Sequence, residues 1–216
     1  MSFNDHKIET GKTKFIAWSS ARLPKEGEKI CGDLSLVKKS NGKVLVAAVD
    51  GLGHGVSAAK ASKKAIDLLE SFEKESLINL IHRCHKELRQ TRGVVMSLAL
   101  IDSKENMMTW IGVGNVEGVL FRAHSEVGQK LERIVLRGGV IGYKLPSLQA
   151  AMIPIFKDDI VVFTTDGVEH DYVDELNASE HPEEIVEFVA SNYFKKSDDA
   201  LIIAGKYLGE GFQYEN

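Results

Sequence analysis

Residues 44 to 55 read Val-Leu-Val-Ala-Ala-Val-Asp-Gly-Leu-Gly-His-Gly, an apolar run that ends on an aspartate inside a glycine-rich stretch. The run is continuously apolar, which predicts a buried strand. Just upstream, Ser40-Asn41-Gly42 separates it from a second apolar run, Leu34 to Lys38. Asn-Gly between two such runs predicts a β-hairpin, because both residues tolerate positive φ. Downstream, Val56 to Phe72 reads as a helix with Ala58, Ala59, Ala65, Leu68 and Leu69 on its apolar face. A second helix follows from about Glu75 to Gln90, with Leu77, Leu80, Ile81, Cys84 and Leu88 at helical spacing.

Working outward, Phe15 to Ser20 predicts an earlier strand. Val94 to Ile101, Met107 to Val113, Val116 to Arg122 and Leu131 to Leu136 predict four more, the last leading into Gly138-Gly139. Asp159 to Thr165 and Ala200 to Tyr207 complete the strands, with a helix at Glu183 to Tyr193 opened by Pro182. Consecutive strands joined by short turns argue for antiparallel pairing. The class is therefore α+β, with stacked sheets and helices outside. The segments before Thr13 and after Leu208 read as short polar extensions. No linker interrupts the rest, so one domain is expected over residues 1–216, with its core at about 13–208.

The chain has 216 residues, 44% hydrophobic and 27% charged, enough to build a core without disulfides. Its two cysteines, Cys31 and Cys84, form no CxxC pair, so zinc and redox motifs are not expected. A net charge of -4 without a basic run gives no reason to expect nucleic-acid binding. The polar start and the lack of a membrane-length apolar run lead to a cytoplasmic expectation, with no membrane partner.

Asp33, Asp50, Asp166 and Asp198 each lie at the edge of an apolar run. Asp50 and Asp166 end strands and precede glycine, whereas Asp33 and Asp198 lead into strands. Neighbouring strands would bring these carboxylates together, where they repel unless a cation relieves them. An all-oxygen set points to magnesium or manganese rather than zinc. A single Asp-Gly is more often an ordinary turn; the repetition of the pattern supports a metal site. Glycine after Asp50 would let the backbone carbonyl approach a metal.

These residues resemble the motifs of the metal-dependent PPM (type 2C) phosphatases, in their SpoIIE-like branch. The motifs are Cys31-Gly32-Asp33, Val49 to Gly55, Gly112-Val113-Gly114-Asn115, Thr164-Thr165-Asp166-Gly167 and Ser197-Asp198-Asp199. The stretches 27–33, 47–55, 90–102 and 110–122 are similar to a compact member of that branch that serves the stressosome. The resemblance implies an αββα sandwich of two antiparallel sheets flanked by helices, and two Mn2+ or Mg2+ ions at one end of it. It implies Asp50 and Asp166 as catalytic residues. The implied metal ligands are Asp33, Asp50, Gly51 through its carbonyl, Asp166, and Asp198 or the alternative Asp199. It implies protein-serine/threonine phosphatase activity by direct attack of a metal-bridging hydroxide. The implied substrates are phosphorylated STAS-domain proteins of the stressosome, met by a monomer. The segment Arg92 to Ser97 lacks the polar residues that larger relatives carry for a third metal, and no early arginine matches the phosphate-binding arginine of the animal enzymes.

His54 could protonate the leaving oxygen or be an ordinary loop histidine. His82 and His85 read as helix-surface or packing residues, and Gly112 to Asn115 as a tight turn with at most a minor role at the site. Two rival functions stay in view. The strand–glycine–helix order around Gly51-Leu52-Gly53 echoes a dinucleotide fingerprint, although Val56 stands at the third glycine position. A non-catalytic pseudophosphatase binding module would keep the fold without the chemistry.

Overall fold

Strand β4 (Lys43–Gly51) explains why residues 44–49 are continuously apolar. Val44, Val46 and Ala48 enter one core, while Leu45, Ala47 and Val49 enter another on the opposite face. A strand facing two cores needs apolar side chains on both sides, and each large one buried contributes roughly 1.5–3 kcal/mol.

The computed structural model describes residues 7–73, 75–124, 131–176 and 180–209. In chain order the elements begin with β1 (Lys7–Lys12), β2 (Ile16–Leu23), β3 (Asp33–Ser40) and β4. Helices α1 (Gly55–Glu70) and α2 (Leu77–Glu87) follow. Then come β5 (Val94–Asp102), β6 (Met107–Val113), β7 (Glu117–Phe121), β8 (Leu131–Arg133), β9 (Leu136–Arg137) and β10 (Ala151–Pro154). The chain closes with β11 (Ile160–Thr164), a 3-10 turn at His170–Asp174, α3 (Pro182–Asn192) and β12 (Ala200–Tyr207).

One sheet has the order β1-β2-β12-β11-β7-β8, and the other β10-β6-β5-β4-β3 with β9 paired to β6. The sheets share an apolar core that includes Val46, Ala99, Trp110, Phe163 and Ile203. Helices α1 and α2 cover the outer face of the second sheet, and α3 with the 3-10 turn covers the outer face of the first. This is the αββα sandwich the sequence pointed to. The predicted hairpin is present, with Asn41 at φ 49° and Gly42 at φ 80°. No helix among the described residues is long and apolar enough to cross a membrane.

Four expectations change. Residues 7–12 are not an extension but a strand, paired with β2 from Lys7↔Arg22 to Lys12↔Ala17. The single strand expected at 131–136 is two short ones on different sheets, because the chain crosses between them after Arg133. β9 runs parallel to β6, so the second sheet is not purely antiparallel. β4 lies between antiparallel β3 and β5, so residues 44–72 do not open a βαβ unit and the dinucleotide reading falls. Both cysteines are buried and free.

Candidate metal centre

Asp33 and Asp50 face each other directly in the β3–β4 ladder. Asp50 continues the phase of Val44, Val46 and Ala48, so its side chain turns into the space between the sheets. Asp33 is only 2% exposed. Like charges directly opposite on adjacent strands are destabilising, and burial strips the water that would screen them. Burial, and then the Asp50 charge, push the Asp33 carboxyl well above the usual carboxylate range, with a hydrogen bond to Thr165 opposing. Asp50 is pushed up to about 7 by burial first, then by Asp166 and Asp198. Without a cation, both carboxyls therefore hold their protons more readily than ordinary carboxyls do.

The first sheet supplies the other carboxylates. Asp166 follows β11 and Asp198 precedes β12, two strands that pair through Thr164↔Ile202. Burial and then the Asp198 charge raise the Asp166 carboxyl, with Lys195 opposing. Asp198 accepts the Asp199 amide on Oδ1 at 2.9 Å. Asp199 is used differently. It is 3% exposed, and its Oδ1 and Oδ2 accept the backbone amides of Lys25 and Gly32, each at 2.9 Å. These two bonds fix the loop that leads into Asp33. Its neighbour Ala200 is fully buried and pairs with Leu23, so a small residue fits beneath Asp198.

These side chains open onto a cleft of about 510 Å³ lined by Asp33, Asp50, Asp166, Asp198, Asp199 and Lys25, with Gly53, His54, Asn115 and Gly139 around them. Among the described residues Lys25 brings the one Lys or Arg side chain in that lining. Among the described residues, no group of three or more His, Cys, Asp or Glu side chains is already gathered into a cage. The carboxylates stand instead as an Asp33–Asp50 pair and an Asp166–Asp198 pair across the ends of the two sheets. The donor set fits hard divalent cations: it is all oxygen, partly dehydrated and short of positive charge.

Gly51 meets a demand of packing besides any approach of its carbonyl to a metal. A Cβ there would lie 2.3 Å from the Ala58 carbonyl oxygen and 2.7 Å from Ser62 Oγ, so the glycine is demanded by the close approach of α1. Gly51 itself does not line the cleft, although Asp50 and Leu52 do. His54 lines the rim with Nδ1 2.6 Å from Glu28 Oε1. His85 accepts the Gly142 amide on Nδ1 at 3.0 Å, a packing contact as its helical position suggested.

Three further contributors emerge, Lys195 and Lys25 with no signal in the sequence and Asn115 from a motif given at most a minor role. Asn115 donates from Nδ2 to Asp166 Oδ2 at 2.6 Å, Lys195 donates from Nζ to the Asp166 carbonyl at 2.8 Å, and Lys25 lines the cleft. Of the segment expected to be a turn of little importance, Gly112 and Val113 end β6, and Gly114 and Asn115 line the cleft. The segment's glycines gave a signal for close backbone approach, but nothing in the sequence said what approached.

An αββα sandwich with paired carboxylates at one end of its facing sheets is the architecture of the metal-dependent PPM (type 2C) phosphatases. The family model described as Stage II sporulation protein E (SpoIIE) matches residues 40–204, and the chain belongs to that family. It is 28% identical over 200 residues to the phosphoserine phosphatase RsbX of Bacillus subtilis (strain 168), covering 92% of this chain and 98% of that one. Among solved structures, RsbX in complex with magnesium superposes with a TM-score of 0.82 at 25% identity, over 93% of this chain and 100% of that chain. A structure described under the bacterial stressosome, a modular system adapted to control secondary messenger signaling, gives a TM-score of 0.78 at 29% identity. It covers 93% of this chain and all of the other.

Proposed function

We propose that this chain, as a single phosphatase domain, hydrolyses phosphoserine and phosphothreonine monoesters on proteins with the help of two Mn2+ or Mg2+ ions. It is an RsbX-like serine phosphatase. The observation that carries the metal reading is the buried, directly opposed Asp33–Asp50 pair facing Asp166 and Asp198 across the sheets. That arrangement costs stability as it stands and is relieved by cations.

In this reading Asp50 lies between the two halves and would touch both ions. Asp166 and Asp198 would complete one site. Asp33, directly or through water, would complete the other with the Gly51 carbonyl. Asp199 stays in its backbone hydrogen bonds and holds the Asp33 loop. When bound, the ions supply charge neutralisation for the phosphoryl oxygens and a water of lowered pKa. The protein's own share is orientation and charge. Lys25 makes no ion pair among the described residues and offers its ammonium to the entering phosphate dianion. Among the described residues no Ser, Thr or Cys lines the cleft, which supports attack by water over a seryl or cysteinyl intermediate.

The likeness to RsbX and to a stressosome structure supports phosphorylated STAS-domain scaffold proteins of a stressosome as substrates, and a cytoplasmic setting. Phosphate release from such a phosphoprotein and from p-nitrophenyl phosphate, with Mn2+ and with EDTA, tests the reading. Metal-dependent turnover is expected. Its absence on both substrates would leave the fold as a binding module.

A further inference from the structure

Asp166 is the least buried of the carboxylates whose pKa the site raises, and it follows a strand end with free torsions of its own. A ligand in that position needs something to fix its rotamer. The β7–β11 ladder pairs Glu117 with Thr164, and continuing that register two residues outward sets Asn115 opposite Asp166. Gly114 makes the projection possible. It sits at φ 98°, and a Cβ there would come within 2.2 Å of Val95 Cγ1, so only glycine turns the chain at this point. The next residue then delivers its carboxamide to the cleft, where Nδ2 donates to Asp166 Oδ2 at 2.6 Å. From the other side, Lys195 donates from Nζ to the Asp166 carbonyl at 2.8 Å and from its amide to the Gly167 carbonyl at 2.8 Å. Backbone and side chain of Asp166 are thus held from two different connections of the fold.

We propose that Asn115 is a positioning residue for the metal centre: its carboxamide holds one oxygen of Asp166 and presents the rest of the carboxylate to a divalent cation. The inference rests on the metal-dependent reading above. Asn115 is suited to this because a carboxamide donates without adding charge. A lysine or arginine there would neutralise the ligand and compete with the cation, and an unaided Asp166 would be free to rotate away. Hydrogen-bonded partners of metal ligands typically change metal affinity by about 10- to 100-fold when removed, and the same range is expected here.

The test is direct Mn2+ binding by calorimetry on the intact chain, paired with the Mn2+ dependence of p-nitrophenyl phosphate hydrolysis. Asn115→Ala is expected to weaken Mn2+ binding about 10-fold or more and to move the Mn2+ activation midpoint by the same factor. The melting temperature in EDTA should be unchanged, because Asn115 is exposed. Asn115→Leu keeps the size without the donor and should behave like alanine. Wild-type Mn2+ affinity in either variant overturns the proposal. So does a rise in substrate KM with the Mn2+ midpoint unmoved, which would make Asn115 a substrate contact. Failure of the wild type itself to bind Mn2+ would instead remove the metal reading on which the proposal stands.

Discussion

Replacing Asp50 by asparagine separates what this side chain costs the fold from what it gives the site. Folding moves its carboxyl from an ordinary 3.8 to about 7. At about 1.4 kcal/mol per unit, holding it ionised in the folded protein costs on the order of 4 kcal/mol, a ceiling that solvent and local relaxation lower. Because the folded value lies above the unfolded one, the folded chain binds more protons between about pH 4 and pH 7. The associated stability is fully present below that window and is lost as pH rises through it. Asparagine carries no charge and can still donate to Asp33. In EDTA at about pH 8, Asp50→Asn should therefore melt above the wild type. A residual gain of roughly 1–2 kcal/mol corresponds to roughly 2–8 °C for a chain of this size. At about pH 4 the two should melt together. Manganese reverses the order, since a ligand at about 100 times its Kd stabilises by about 2.7 kcal/mol, and the variant should lose that gain with its activity. Calorimetric melts from about pH 4 to pH 8, with Mn2+ and with EDTA, read both effects. A variant that melts well below the wild type in EDTA at pH 8 would show that the Asp50 charge does not burden the fold, and one that keeps the full Mn2+ stabilisation would show that Asp50 does not hold the metal.

Lys25→Ala should raise KM for phosphoprotein roughly 10-fold, as expected for losing one charge-assisted phosphate contact, with little change in Mn2+ affinity; steady-state kinetics at saturating Mn2+ measure this. Asp199→Ala should cost about 3 kcal/mol, because two backbone amides at Lys25 and Gly32 lose a buried carboxylate acceptor. Urea melts in EDTA would show it, and an unchanged midpoint would contradict the assigned role. At the far end of the sandwich, Asp159 accepts Arg122 Nη1 at 2.7 Å and the Ala123 and Phe156 amides at 3.0 Å each. Asp159→Ala should cost about 3–5 kcal/mol, as for a broken buried ion pair. The kcat of the folded fraction should be unchanged.

The parts of the fold that sequence revealed are those where side chains report burial directly. Residues 44–49 are apolar on both faces because β4 serves two cores, and Asn41-Gly42 carries its own turn geometry. β1 was invisible for the opposite reason. Lys-Ile-Glu-Thr-Gly-Lys is an edge strand exposed on nearly every residue, so main-chain pairing with β2 leaves no apolar alternation to read. The crossing between β8 and β9 depends on which sheet each half joins, which no local pattern encodes. The site divides in the same way. Asp50 and Asp166 sit where strand ends meet glycine and stand out in sequence. The contrast between Asp198 and Asp199 depends on which one meets the amides of Lys25 and Gly32, contacts from far along the chain. Asn115 required the β7–β11 register before its partner could be known.

In the proposed function, divalent cations held by the Asp33–Asp50 and Asp166–Asp198 pairs make this chain a phosphatase. The most direct measurement is phosphate release from a phosphoserine protein during a Mn2+ titration of the EDTA-stripped wild type, with Asp50→Asn and Asp166→Asn in parallel. No release is expected without metal, activity should return saturably with Mn2+, and the folded variants should stay inactive at every Mn2+ concentration. Metal-independent release, or full activity in folded Asp50→Asn, would contradict it.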